Sequence, residues 1–302
     1  MSVEATVVDI ENLMNLIEFH ASDGVVLHGA IHAPPADKNG NANAACDAAI
    51  YLHGAGSNFY SGSLLPGILP DLNSLGLTVM AINTRGHDSV CTLRTSQGAR
   101  PGGAAYEVVD QCRHDVRGAV DFLLGRGQRN VALIGHSLGA LKAIYSQAHD
   151  PHENVSRVIA ISPPRLSYAE FLRGPRRAEF SQAMSRAEQL LAAGESDHLM
   201  HVTVPLPLLI TAGGYVDKYG PAERYNFLKF AAEVSQPAHY LFGRKEISST
   251  AAAYGNIDES VRQLAGDAPA NIDVSVIDGA DHFYTGCHQA LAAAIGQPAL
   301  WQ

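Results

Sequence analysis

"VALIGHSLGALKAI", residues 131–144, is the stretch on which the fold turns. Val131 to Ile134 is an apolar run with β-branched residues at both ends, the composition of a buried strand. It stops at Gly135, passes a polar pair, His136-Ser137, and resumes at Leu138-Gly139 as a helical pattern running to 149. A serine therefore stands at a strand-to-helix corner with a glycine two positions to either side. So sharp a corner strains the serine backbone, and glycines beside it let neighbouring elements approach without a Cβ in the way. The G-x-S-x-G pattern in this setting lifts the hydroxyl above the sheet, at a helix N-terminus whose dipole favours negative charge. A serine that merely fills a βα turn has no need of that arrangement. Ser137 is the candidate nucleophile.

A serine hydroxyl needs a base to take its proton. In this architecture the order along the chain is serine, acid, histidine, so the base should follow the last strand. "VSVIDGADHFYTG" supplies His282 there, after a β-branched run and a Gly turn. His149, His152, His198, His201 and His239 also follow Ser137, but none sits on a strand exit near the chain end; His288 falls in the final helix and reads as a surface residue. Asp278 and Asp281, next to His282, read as residues that shape its loop. The oxyanion of an acyl-transfer intermediate needs backbone N–H donors already aimed at it. One is the N–H of Leu138, just after the nucleophile. The other is assigned to Ala55 in "YLHGAG", a strand end followed by a Gly-rich turn, with His53 bracing that loop.

Outward from these motifs, strands and helices alternate. "LIEFHASDGVVLHGAIHAPP" reads as a hairpin turning at Asp23-Gly24, and 36–48 as a polar loop. "AAIYLHGAG" and "LTVMAINTRGH" read as strands with a helix between them. The stretch 106–124 places Val109, Val116, Val120 and Leu123 at helical intervals. The strand "VSRVIAISPP" follows the helix after Ser137. This predicts an α/β fold, a mostly parallel central sheet flanked by helices, with the opening hairpin as an antiparallel edge. From 165 to 235 the alternation lapses into a helical region rich in Arg, Glu, Ala and Gln. That divides the chain into a core of 1–164 and 236–302 and a helical cap, 165–235, over the sheet's C-terminal edge. Aromatic residues of the cap (Tyr168, Phe171, Phe180, Tyr215, Tyr219, Tyr225) are candidates for an apolar pocket lining, although aromatics at such spacing are more often core.

"HGAG" (53–56), "GHSLG" (135–139) and "GADHFY" (279–284) resemble the α/β-hydrolase family and come in that family's order. "NTRGHD" (83–88) is similar to its D-x-R-G-x-G segment but carries Asn83 and Asp88 at the outer positions, leaving Arg85 as a loop brace. The resemblance implies a Ser-His-acid triad. Two acids compete for the third place: Glu246 in "QPAHYLFGRKEIS" and Asp217 in "PLPLLITAGGYVDKYG", each three residues after a glycine that closes an apolar run. Glu246 lies 36 residues before His282, room for one helix and one strand, whereas Asp217 lies 65 before it and leaves a surplus strand between. Pro205 and Pro207 also interrupt the run before Asp217. Moreover, "FLKFAAEVSQPAHYLFGRKE" resembles the family's approach to its acid strand. Glu246 is favoured; Asp217 stays open.

Bulk properties exclude several other functions. The 302 residues are 46% hydrophobic and 17% charged, with a net charge of −9 and no Lys/Arg-rich run, which argues against nucleic acid and anionic membrane as partners. The N-terminal stretch shows no secretory signal, and no apolar run approaches the roughly 18 residues that span a bilayer. Cys46, Cys91, Cys112 and Cys287 are scattered and read as free thiols of a cytoplasmic protein. No metal or organic cofactor is implied. The expected activity is hydrolysis of a carboxylic ester of a small or medium, uncharged or aromatic alcohol through an acyl-enzyme. Thioesters, lactones, activated amides and C–C bonds beside a ketone use the same apparatus, as does acyl transfer; a non-catalytic ligand-binding scaffold is the rival from another class. The sequence leaves a homo-oligomer open.

Overall fold

Strands with no polar side chain facing water need cover on both faces, and helices supply it here. A computed structural model describes residues 15–36, 45–61, 64–267, 271–297 and 300–301. The N-terminal stretch 1–14 and most of the loop expected at 36–48 lie outside the described residues. The parallel strands are β3 (Ala48–Leu52), β4 (Thr78–Ile82), β7 (Val131–His136), β8 (Val155–Ile161), β11 (Ala238–Gly243) and β12 (Ile272–Ile277). In β3, β7 and β11 every residue is buried.

Side chains in a strand alternate between faces, and the core divides accordingly. Ile50, Leu52 and Leu133 join one apolar cluster with Val116, Val120 and Leu123 of α2 (Cys112–Leu124) and Leu141 and Ile144 of α3 (Leu138–His149). Ala49, Tyr51 and Ile134 join the other, with Ile68 and Leu72 of α1 (Leu65–Ser74) and Leu291 and Ile295 of α9 (His288–Ile295). The helical spacing of Val109, Val116, Val120 and Leu123 thus corresponds to a buried stripe.

The expected hairpin forms. β1 (Asn15–His20) pairs antiparallel with β2 (Val26–His32), and Gly24 takes φ +82° in the turn between them. β2 then pairs antiparallel with β4. A second hairpin, β5 (Cys91–Thr95) and β6 (Gly98–Gly102), extends the sheet beyond β2. It was not foreseen: its residues are mostly exposed, and β6 reads Gly-Ala-Arg-Pro-Gly, poor strand formers.

Between β8 and β11 the chain leaves the sheet. It forms α4 (Tyr168–Arg173), α5 (Arg177–Ala192) and α6 (Ala212–Tyr219), and it is not wholly helical. β9 (Leu199–Val202) and β10 (Leu208–Thr211) make a separate two-stranded antiparallel sheet. β10 starts only after Pro207, so the Pro-interrupted run before Asp217 contributes no strand to the main sheet. β11 and β12 instead lie side by side, joined through α7 (Arg244–Ile247) and α8 (Ile257–Asp267).

Candidate active site

Ser137 occupies the corner between β7 and α3 at φ 55°, ψ −124°, a left-handed conformation that a non-glycine residue adopts only under constraint. Its N–H bonds Ile161 O at 2.8 Å, which anchors the corner to the end of β8. The flanking glycines are needed for space. A Cβ on Gly135 would stand 2.3 Å from the carbonyl carbon of Gly139, and one on Gly139 would stand 2.1 Å from Leu52 O. The 53–56 turn lies directly against Ser137, since a Cβ on Gly54 would meet Ser137 Cβ at 3.3 Å.

His282 follows β12. Its Nδ1 lies 2.8 Å from Glu246 Oε2. Glu246 sits at the first turn after β11 and is held by its other oxygen, which accepts from Gly243 N at 2.9 Å and from the Ser162 hydroxyl. Ser162, with φ 50° at the end of β8, also contacts the Tyr284 hydroxyl at 3.0 Å. Tyr284 in turn reaches Leu241 O at 3.1 Å. Three strand ends therefore fix one carboxylate. Asp217 stands elsewhere: on α6 it pairs with Arg224 and accepts from the Tyr225 hydroxyl at 2.7 Å. Of the two candidate acids, only Glu246 is brought to His282.

His136, between Gly135 and Ser137, donates from Nε2 to His282 O at 2.9 Å. Burial, reinforced by the nearby His282, lowers its pKa to about 3, so it is a neutral brace. Asp281 Oδ1 accepts from Phe283 N and Thr285 N, both at 3.0 Å, shaping the His282 loop as expected. Tyr254 was missed by sequence reasoning. Its hydroxyl lies 3.4 Å from His282 Nε2, its ring packs on the imidazole with centroids 4.8 Å apart, and it lines the same cavity as Ser137. No spacing rule marks it: it falls in the loop before α8, in an Ala-rich run.

Ser137 and His282 open into a cavity of about 340 Å³. Ala55 and Leu138 line it, as do Leu166, Pro205, Leu206 and Tyr219 from the segment beyond β8. Of the six aromatics singled out between 165 and 235, Tyr219 reaches this cavity, while Phe171 and Phe180 line a neighbouring apolar one of about 160 Å³. Among the described residues, no Asp, Glu, Lys or Arg lines the larger cavity. The described residues also contain no group of three or more His, Cys, Asp or Glu placed to hold a metal ion, and no helix long and apolar enough to cross a membrane. The four cysteines are unpaired.

Behind the site lies a buried charge cluster. Lys142 Nζ pairs with Glu107 Oε1 at 2.5 Å and Lys218 Nζ with Oε2 at 3.0 Å, all three side chains at most 2% exposed. Burial alone would raise the Glu107 pKa, but the two ammonium groups outweigh it and hold the carboxyl at about 2. Lys142 also donates to Thr84 Oγ1 at 2.8 Å, Thr84 N donates to His53 Nε2 at 3.2 Å, and His53 Nδ1 donates to Gly54 O at 2.8 Å. The loop-bracing part expected of His53 is thus physical, and burial lowers its pKa to about 3. Arg85, too, is a brace: it pairs with Asp115 at 2.7 Å and Asp23 at 2.8 Å. Asn83 and Asp88, the departures in that segment, accept from Phe59 N at 3.0 Å and Asn58 Nδ2 at 2.7 Å.

Strand order, the serine corner and the histidine after the last strand define an α/β hydrolase. The sequence pattern of the Alpha/beta hydrolase family matches residues 49–294, and the chain belongs to that family. Among solved structures it resembles an esterase of Pyrococcus furiosus, at 19% identity and TM-score 0.63 over 98% of this chain and 94% of that one. It also resembles Est1E of Butyrivibrio proteoclasticus with ferulic acid bound, at 15% identity and TM-score 0.61 over 93% and 97%. A third is the alpha/beta hydrolase GrgF of Penicillium sp. sh18, at 16% identity and TM-score 0.64 over 93% and 95%. No curated protein matches the sequence.

Proposed function

We propose that this protein hydrolyses carboxylic esters of small, uncharged molecules through an acyl-enzyme on Ser137, with His282 as general base and Glu246 as the acid that orients it. The observation that carries the reading is the Glu246–His282 hydrogen bond at 2.8 Å beside a strained serine, both opening on one apolar cavity. Glu246 accepts from the Nδ1–H of His282, so Nε2 carries the lone pair that receives a proton. The N–H groups of Ala55 and Leu138 stabilise the oxyanion, and water then releases the acid. A cavity of about 340 Å³ without charged lining suits a small apolar acyl or alcohol group. The segment 165–235 acts as the cap, supplying Leu166, Pro205, Leu206 and Tyr219 to that lining. The esterase of Pyrococcus furiosus shares the fold and makes ester hydrolysis the natural first assay.

A fluorophosphonate probe tests this directly. It should label the wild-type protein at Ser137 and abolish hydrolysis of p-nitrophenyl esters. Folded protein that neither reacts with the probe nor turns over any ester of the series would overturn the assignment and favour a binding scaffold.

A further inference from the structure

Two cavities lie side by side, and three residues belong to both. Pro205, Ala253 and Tyr254 line the larger one, onto which Ser137 and His282 open, and also the smaller one of about 160 Å³. A residue lines both only where the two adjoin. Beyond that shared wall, Phe171, Phe180, Val204 and Ala252 give the smaller cavity an apolar lining. Among the described residues, Arg176 alone brings a charge to it. That charge is already answered: Nε donates to Glu179 Oε1 at 3.0 Å and Nη1 to Thr203 O at 2.9 Å. The smaller cavity therefore suits an uncharged, apolar group.

The walls of the smaller cavity are held from both sides. Arg165 donates from Nη2 to Ala252 O at 2.9 Å and to Gly255 O at 3.2 Å, and from its backbone N to Ala253 O at 2.9 Å. Tyr254 N bonds Ala251 O at 3.0 Å. Opposite this loop, the Tyr215 hydroxyl donates to Val204 O at 2.9 Å, and the rings of Phe171 and Phe180 pack with centroids 5.1 Å apart. A void kept open by such ties costs dispersion contacts, and a ligand group that fills it regains them.

The position of His282 decides which half of an ester reaches it. The leaving oxygen takes its proton from Nε2, so the alcohol half lies beside that nitrogen. Tyr254 stands there, its hydroxyl 3.4 Å from Nε2 and its ring on the imidazole, and Tyr254 is also part of the wall shared with the smaller cavity. An alcohol chain that leaves Nε2 along this ring runs toward the smaller cavity. We propose that this cavity is the subsite for the distal apolar part of the alcohol. The substrates are then esters of an uncharged alcohol long enough to pass Pro205 and Tyr254, with the acyl group in the rest of the larger cavity. The inference rests on the serine-hydrolase reading above and names its substrate class.

The test is a series of n-alkyl acetates, ethyl to decyl, followed by acid release. All form the same acetyl-enzyme, so kcat/KM differs along the series only through the alcohol. Each methylene buried in the smaller cavity should raise kcat/KM roughly fourfold, giving a gain of roughly 100-fold between butyl and octyl acetate. Ethyl esters of lengthening acids should level off earlier. A gain confined to that acid series, or no gain beyond butyl acetate, overturns the proposal. Ala252→Phe, which fills only the smaller cavity, should lower the octyl-to-ethyl ratio of kcat/KM by roughly tenfold or more; an unchanged ratio also overturns it. Should that variant fold poorly, Ala251→Phe at the exposed neighbouring position is read in the same way. The two readings fail separately. Turnover of ethyl acetate with a flat profile removes only the subsite, whereas folded protein that hydrolyses no ester and resists the fluorophosphonate removes both.

Discussion

The Glu246–His282 pair and the Glu107–Lys142–Lys218 cluster both bury charge near Ser137, but only one of them faces a cavity. In the first, the His282 side chain is 23% exposed, and Nε2 has a hydroxyl before it. In the second, no member is more than 2% exposed, and the chain of hydrogen bonds ends on the Gly54 carbonyl. Burying ions is costly unless each is paired. Here the closed cluster ties three parts of the molecule together: α6 through Lys218, the helix α3 that follows Ser137 through Lys142, and the 53–56 turn through Thr84 and His53. A Cβ on Gly86 would fall 1.8 Å from Glu107 Oε1, so the adjoining loop is cut to fit the carboxylate. The lesson is that burial and charge do not by themselves mark chemistry. A proton acceptor with access to a substrate does.

That contrast is broken most sharply by variants that should affect rate without affecting folding, or the reverse. Ser137→Ala should lower kcat by roughly 10⁶-fold, the scale seen when a triad nucleophile is removed. Its melting midpoint should stay near wild type, because the side chain opens on a cavity. Glu246→Gln should lower kcat by roughly 10⁴-fold, since an amide favours the wrong imidazole tautomer. Asp217→Asn is the matched control, and its kcat should stay within a few-fold of wild type. A large loss there with an active Glu246→Gln enzyme would transfer the orienting role to Asp217.

Glu107→Gln should behave in the opposite way. It leaves two buried ammonium groups without a counter-charge, at a cost of about 3–5 kcal/mol in stability. Denaturant melts should show that loss, while the fraction that remains folded should bind a fluorophosphonate at Ser137. A Glu107→Gln protein as stable as wild type would mean that the lysines find other partners, and the cluster would not be the tie described above.

How much of this was legible beforehand follows from how local each feature is. The serine corner, the Gly-rich turn and the histidine after β12 are set by short-range backbone requirements, so short motifs announce them. The choice of Glu246 over Asp217 rested on element counting and on Pro205 and Pro207, and it matches where the chain puts each carboxylate. What did not show was assembled from distant segments. Tyr254 meets His282 across 28 residues, Ser162 meets Glu246 across 84, and Lys218 meets Glu107 across 111. Each of these is an ordinary residue in its local sequence. The β5–β6 hairpin escaped for a different reason: its exposed strands lack the apolar alternation by which strands are recognised. β9 and β10 were hidden by the prolines that precede β10 and by their small size.

The smallest effect tests both regions at once. His53 belongs to the closed cluster and His136 to the site, yet burial holds both pKa values near 3 against an ordinary 6.5. Between those values the unfolded chain binds protons that the folded chain refuses, so stability is complete above pH 6.5 and falls as the solution is acidified. At pH 5 the loss is about 2 kcal/mol for each histidine. The Glu107 shift acts in the same direction but only below about pH 4.5, its ordinary value, so it contributes nothing to the first part of the decline. Melting midpoints measured from pH 7.5 to 5 should therefore fall steadily, and His53→Gln should lessen the slope whatever its effect at pH 7.5, with His136, and with His32 and His239, whose pKa values burial also lowers, carrying the rest. A flat midpoint over that range would mean that both imidazoles can ionise where they stand, and the 53–56 turn would then rest on a brace that neutral pH does not guarantee.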